Sequence, residues 1–140
     1  MLEVYKNSIK KPTILHCVSN YPCATHSLNM KCIESMKNRF DVPIGYSDHS
    51  VGTTAAILSV ALGTPIIERH FTLSKELTGP DHKASDTPEE FTLYVKAIRQ
   101  AELAMGIENK AIQDEEREMR LVSRKSIRTT VDLPKNHVIS

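Results

Sequence analysis

Net charge is the first thing this sequence lacks: 18 lysines and arginines are nearly cancelled by 17 aspartates and glutamates, leaving +1. No broad field exists to draw in nucleic acid or an anionic membrane, so any anion must be caught locally. Long hydrophobic runs are missing as well. Nothing approaches the roughly 18 consecutive apolar residues of a membrane span, and the opening MLEVYKNSIKK lacks the apolar stretch of a secretion signal. Together these absences predict a cytoplasmic protein with neither a nucleic-acid nor a membrane partner. Cysteine is sparse and unpaired. Cys17, Cys23 and Cys32 are odd in number and lack the spacing of a zinc or thiol-disulfide motif, which fits a reducing compartment and reads as three small core residues. No repeat of fixed period and no low-complexity segment is present. Length is also short supply: 140 residues make one ordinary domain, whereas a (β/α)8 barrel takes about 250.

What the chain does have is alternation. From Pro12 to Gly106, short apolar runs (TILHCV, VPIGYS, PIIERH) alternate with amphipathic stretches (SLNMKCIESMKNRF, TTAAILSVALG, TPEEFTLYVKAIRQAELAMG). Apolar residues fall on consecutive positions in these runs, as in parallel strands covered on both faces, so the fold class expected is α/β. In the first helix Leu28, Cys32, Ile33, Met36 and Phe40 share a face; in the last, Phe91, Tyr94, Val95, Ile98, Ala101 and Met105 do. Both stripes read as core. The last helix carries its own start signal, with Thr87 as N-cap, Pro88 at the first position and Glu90 completing a capping box, and Gly106 is its natural stop. Beyond Gly106 the charged QDEEREMR reads as a solvated helix or linker, and VDLPKNHVIS ends with the chain.

Each strand ends in a burst of polar residues: Ser19-Asn20-Tyr21, Ser47-Asp48-His49 and Glu68-Arg69-His70. In parallel α/β folds the C-terminal ends of strands converge on one crevice. If the second and third strands are neighbours in register, His49 and His70 stand at equal heights and two imidazoles can share one divalent ion, with water or substrate completing its coordination. The plainer alternative, hydrogen-bonded structural histidines, stays open at this point. His16 reads as core; His26, His82 and His137 fall in loops or the tail. The long connection FTLSKELTGPDHKAS contains a Gly79-Pro80 turn that can aim Asp81, a carboxylate able to accept hydrogen bonds from a polyol or act as a base, or simply a residue of an ordinary turn.

Four blocks in order, HCVSNYP at 16–22, IGYSDHS at 44–50, ALGTPIIERHFTL at 61–73 and GPDHKAS at 79–85, closely resemble the sialic acid synthase family, the N-acylneuraminate synthases, including the relatives that make pseudaminic and legionaminic acids. The resemblance covers 12–106 well and continues thinly through SRKSIRTTVDLPKNHVIS. It implies a partial TIM (β/α)8 barrel, the last three β/α units, at 12–106, preceded by an N-terminal segment at 1–11. A linker at 107–121 then leads to the beginning of a small SAF (antifreeze-like) domain at 122–140. The activity implied is condensation of phosphoenolpyruvate with an N-acyl hexosamine, N-acetylmannosamine or its 6-phosphate, to a nine-carbon sugar acid and phosphate.

By the same resemblance His49 and His70 are the ligands of a divalent metal, manganese above magnesium or cobalt. Ser19 and Ser47 contact phosphoenolpyruvate. Tyr21 and Asp81 contact the amino sugar and count as the catalytic pair carried by this chain. The family's phosphoenolpyruvate-binding lysines and a barrel glutamate lie on earlier strands, and a substrate-contacting arginine lies deeper in the SAF domain. Three parallel strands cannot close a barrel and leave an unpaired edge, so the chain alone is expected to be marginal. That reading makes it a natural truncation, a split gene product or a partial gene model. Its partners would be the two substrates together with a complementing N-terminal segment, or a second copy in a family homodimer. A non-catalytic remnant or interaction module is the alternative from another functional class, and a pseudaminic or legionaminic acid synthase the alternative within this one.

Overall fold

The structure is a computed structural model that describes residues 11–138, so most of the expected 1–11 segment lies outside the described residues. Three strands, β1 (Ile14–Cys17), β2 (Ile44–Asp48) and β3 (Ile67–Arg69), form one parallel sheet in the order β1-β2-β3. The α/β class read from the consecutive apolar runs is therefore present. β2 is paired on both sides and all five of its residues are buried, whereas β1 and β3 are each paired on one side among the described residues and half-buried at most positions. Register runs from Ile14↔Ile44 to Cys17↔Ser47 and from Tyr46↔Ile67 to Asp48↔Arg69.

Side chains alternate across this sheet. Ile44 and Tyr46 face the helices and join Cys23, Leu28, Ile33 and Ala55 in the core. Gly45 faces the other way, where Leu15 and Ile66 close over it: a Cβ there would stand 2.5 Å from Leu15 Cδ2 and 2.8 Å from the Ile66 carbonyl oxygen. That oxygen accepts from Tyr46 N at 3.0 Å and cannot move without loosening β2 from β3. Gly45→Val should therefore destabilise the fold by about 1–3 kcal/mol through overpacking, read as a lower urea midpoint. An unchanged midpoint would mean that the strands part freely.

The first helix is shorter than the sequence suggests. α1 spans Cys32–Arg39, preceded by a single 3-10 turn at Thr25–Ser27, because Asn29 takes φ 46 and interrupts the helical backbone between them. Ile33 is its buried residue. Cys32, about 100° round the helix from Ile33, is exposed, and Cys17 is exposed on the open face of β1, so of the three cysteines only Cys23 is a core residue. α2 (Thr54–Ala61) buries Ala55, Ala56 and Ser59, and its final carbonyls are met by α1: Lys37 Nζ donates to Leu62 O and Gly63 O. That ammonium satisfies groups a helix end leaves unpaired. α3 (Pro88–Met105) starts as its sequence predicts, with Thr87 Oγ1 accepting from Glu90 N and Glu90 Oε2 accepting from Thr87 N at 2.9 Å, and ends at Gly106 with φ 56. Tyr94 is its buried residue; Met105, counted in the apolar stripe, is exposed. α3 packs on α2, which is ten residues shorter, and Leu103 and Met105 in its last turn are exposed.

The chain divides into two compact units, Met1–Gly106 and Ile107–Ser140. The second contains α4 (Glu116–Ser123), opened by Glu116 Oε2 accepting from Gln113 N at 2.8 Å, and no strand among its described residues. Among the described residues no helix is long and apolar enough to cross a membrane.

Candidate functional site

The register continues past the last paired residues, Ser47↔Glu68 and Asp48↔Arg69, to bring His49 level with His70. Their ring centroids are 5.2 Å apart, nearly perpendicular, and Tyr21 from the β1 loop packs against both, at 4.9 Å from His49 and 4.4 Å from His70. Three residues separated by 49 positions thus form one aromatic cluster above the sheet. Cys23 N donates to His49 O at 2.7 Å and Asp86 N to His70 O at 3.1 Å, so both histidine backbones are held from the side. The His49 ring meets Val18 O through Nδ1 at 3.1 Å. With Nδ1 as donor, Nε2 carries the ring's lone pair, with Cys17 Sγ 3.8 Å away. The His70 ring has no hydrogen bond among the described residues.

Ser47 lies on the same face as the histidines and is buried, but its hydroxyl donates to Glu68 Oε1 at 2.7 Å. Ser19 is exposed at the end of β1. Asp81 is exposed, while its carbonyl accepts from Ser85 N at 3.0 Å and Ser85 Oγ at 2.8 Å, fixing the turn that carries it. His82, read as a loop histidine, braces this turn through Nδ1 and Thr72 Oγ1 at 2.8 Å. Burial pushes the Tyr21 phenol above its ordinary pKa; nearby Ser85 and Arg69 pull it partly back, and the carboxylates of Asp86 and Asp81 push it up again. Tyr21 and the two histidines are therefore close neighbours, and the Asp81 charge is near enough to act on the phenol.

The Tyr21 hydroxyl is buried and, although the Ser85 hydroxyl lies near enough to lower its pKa, it makes no well-formed hydrogen bond among the described residues. An unmet donor at that depth costs about 1–3 kcal/mol, so Tyr21→Phe is expected to leave stability unchanged or raise it by up to about 1 kcal/mol in thermal unfolding. A clear loss of stability would show that the hydroxyl is already satisfied.

Residues on the helix side of the same strand ends were missed in sequence. Asp48 is fully buried and accepts from Tyr94 Oη at 2.7 Å, Tyr46 Oη at 3.2 Å, Ser50 N at 2.8 Å and Ser50 Oγ at 2.7 Å. Arg69, its side chain 4% exposed, stands 3.5 Å from Asp48 and forks onto Asp86 at 2.7 and 2.8 Å while also donating to Ser50 O. Burial opposes the Arg69 charge, yet Asp86 and Asp48 outweigh it and raise its pKa. The signal was available in principle: Ile44, Tyr46 and Asp48 share one strand face, and a carboxylate at the end of an apolar face demands a cation on its neighbour.

Among the described residues no group of three or more histidine, cysteine or acidic side chains is placed to hold a metal. The two imidazoles alone suit a borderline divalent ion with open positions, and Cys17 Sγ lies 3.8 Å from both His49 nitrogens.

N,N'-diacetyllegionaminic acid synthase of Legionella pneumophila is 42% identical over 137 residues, 97% of this chain and 38% of that protein. N-acetylneuraminate-9-phosphate synthase of Homo sapiens is 34% identical over 146 residues, 100% of this chain and 40% of that protein. The crystal structure of N-acetylneuraminic acid (sialic acid) synthetase from Leptospira borgpetersenii superposes with a TM-score of 0.66 at 35% identity, covering 81% of this chain and 41% of that one. The chain thus spans about two-fifths of the length of the curated relatives it matches. Residues 2–110 match the NeuB family, and the chain belongs to that family.

Proposed function

We propose that this chain is the part of a sugar-acid synthase that carries the metal-binding histidine pair and the amino-sugar contacts, within an enzyme that condenses phosphoenolpyruvate with an N-acyl hexosamine and releases phosphate. The observation that carries this reading is the cluster of His49, His70 and Tyr21 at the C-terminal ends of β2 and β3. Two imidazoles, one of them without a hydrogen bond among the described residues and the other with Nε2 beside the Cys17 thiol, fit a divalent ion, manganese before magnesium or cobalt, and such an ion would polarise the sugar's aldehyde oxygen as a Lewis acid. The protein's own groups do the orienting. The Tyr21 hydroxyl offers an unmet donor to the polyol, and Asp81, on a turn fixed by Ser85, accepts from a sugar hydroxyl. Ser19 and Ser47 would meet the phosphoenolpyruvate anion, Ser47 by turning its hydroxyl away from Glu68.

In this reading the three parallel strands are the last β/α units of a TIM barrel, and 122–140 opens an SAF domain. The relative at 42% identity is named for a product bearing two acetyl groups, so a hexose with two N-acetyl groups belongs among the acceptors tried beside N-acetylmannosamine. The test adds phosphoenolpyruvate, each acceptor and Mn2+ to the chain together with a segment supplying the earlier strands. Phosphate release that depends on both the acceptor and the segment is expected. No release from any combination, with both pieces folded, would overturn the reading in favour of a non-catalytic remnant.

A further inference from the structure

The two histidines stand on different strands, so their separation is a property of whatever joins those strand ends. Backbone pairing stops short of them: the last ladder partners are Asp48 and Arg69. Beyond that point, the neighbours of His49 are Asp48 and Ser50, and the neighbour of His70 is Arg69. All three meet on the helix side of the sheet. The Arg69 guanidinium touches Asp48, the Ser50 carbonyl and both oxygens of Asp86, and lies over the Tyr94 ring at 4.9 Å. Asp86 in turn brackets the backbone after His70, with its N–H on His70 O at 3.1 Å and its carbonyl accepting from Thr72 N at 2.9 Å. The Tyr21 phenol, which packs on both imidazoles, also lies close enough to Arg69 and Asp86 to feel both charges.

We propose that Arg69 is the positioning residue of the histidine pair: one buried guanidinium ties the strand end carrying His49 to the strand end and loop carrying His70. The fork is what matters. Arginine presents donors in a fixed plane to Asp86, Ser50 and Asp48 at once; a lysine ammonium keeps the charge but cannot span three partners on two segments. Geometry of the pair should therefore loosen when the fork is lost even though the charge remains. The effect on ring geometry stands on the contacts alone, while the effect on metal affinity rests on the proposed function.

Arg69→Lys and the isosteric Asp86→Asn test this in the full 140-residue chain, with far-UV circular dichroism reporting folding and Mn2+ as the probe. In the wild type, nuclear Overhauser contacts should link the Tyr21 ring to the His49 and His70 rings. Both variants should weaken the Tyr21–His70 contact and raise the Mn2+ dissociation constant about 10–100-fold. Should Arg69→Lys fail to fold, Asp86→Asn carries the same readouts. Unchanged ring contacts and affinity in a folded variant would overturn the proposal. Loss of ring contacts in a variant of a wild type that binds no Mn2+ would leave the clamp standing and remove the metal reading instead.

Discussion

Replacing Asp48 with alanine is expected to cost about 3–5 kcal/mol, read from urea unfolding, because it breaks a buried ion pair and strands several donors together. The carboxylate is completely buried and is the acceptor for two tyrosine hydroxyls, one backbone N–H and one serine hydroxyl. Burial first, and the Asp48 charge second, raise the pKa of both Tyr46 and Tyr94 well above the ordinary phenol value, so both stay protonated donors well into the alkaline range. Arg69 keeps Asp86 and Ser50 as partners, which limits the damage on the cationic side. A domain typically has about 5–15 kcal/mol in total, so this variant should sit near the edge of folding. Asp48→Asn should lose less, since its amide oxygen still accepts from one tyrosine and from Ser50. A loss under about 1 kcal/mol for Asp48→Ala would mean that water replaces the carboxylate and that the cluster is less dry than its exposure indicates.

The same residue shows where sequence reading stops. Consecutive apolar residues in the three runs identified buried parallel strands, and the capping box at Thr87 located the start of α3, because both signals are local. The convergence of His49 and His70 was also legible, since strand ends in parallel folds point one way and the two motifs stood at matching heights. What alternation hides is the division of each polar burst between two faces. Ser47, His49, Glu68 and His70 face the open side, whereas Asp48 and Arg69 face the helices and close a network with Asp86 and Tyr94, 38 and 46 residues beyond Asp48. Tyr94 looked like plain core because its apolar ring fits a helical stripe; its hydroxyl partner came from a distant strand. The cysteines failed for a related reason: smallness suits a core, but Cys17 lies on the open face of an edge strand and Cys32 off the buried face of α1. Asn29, likewise, gave no periodic warning that it would break the first helix.

The second large effect is on chemistry rather than folding. His70→Ala should lower metal-dependent phosphate release by the complemented enzyme about 1000-fold, the equivalent of about 4 kcal/mol of charge stabilisation from a metal at the reacting oxygen. The backbone contacts that anchor this position, Asp86 N to His70 O and Thr72 N to Asp86 O, do not involve the imidazole, so the variant should keep its fold. Stability should fall by no more than about 1 kcal/mol, as expected when a half-buried ring with no hydrogen bond among the described residues is trimmed. The two variants then separate cleanly: Asp48→Ala removes the scaffold behind the strand ends, and His70→Ala removes a proposed ligand in front of them. Excess Mn2+ should recover part of the lost rate, because His49 still offers Nε2, and the recovery should be absent in the His49→Ala, His70→Ala double variant. A single variant that keeps its fold and retains activity within tenfold of wild type would show that the pair does not hold the ion on which the rate depends. The histidines would then be packing partners of Tyr21, and the search for the metal would move to the residues supplied by the earlier strands.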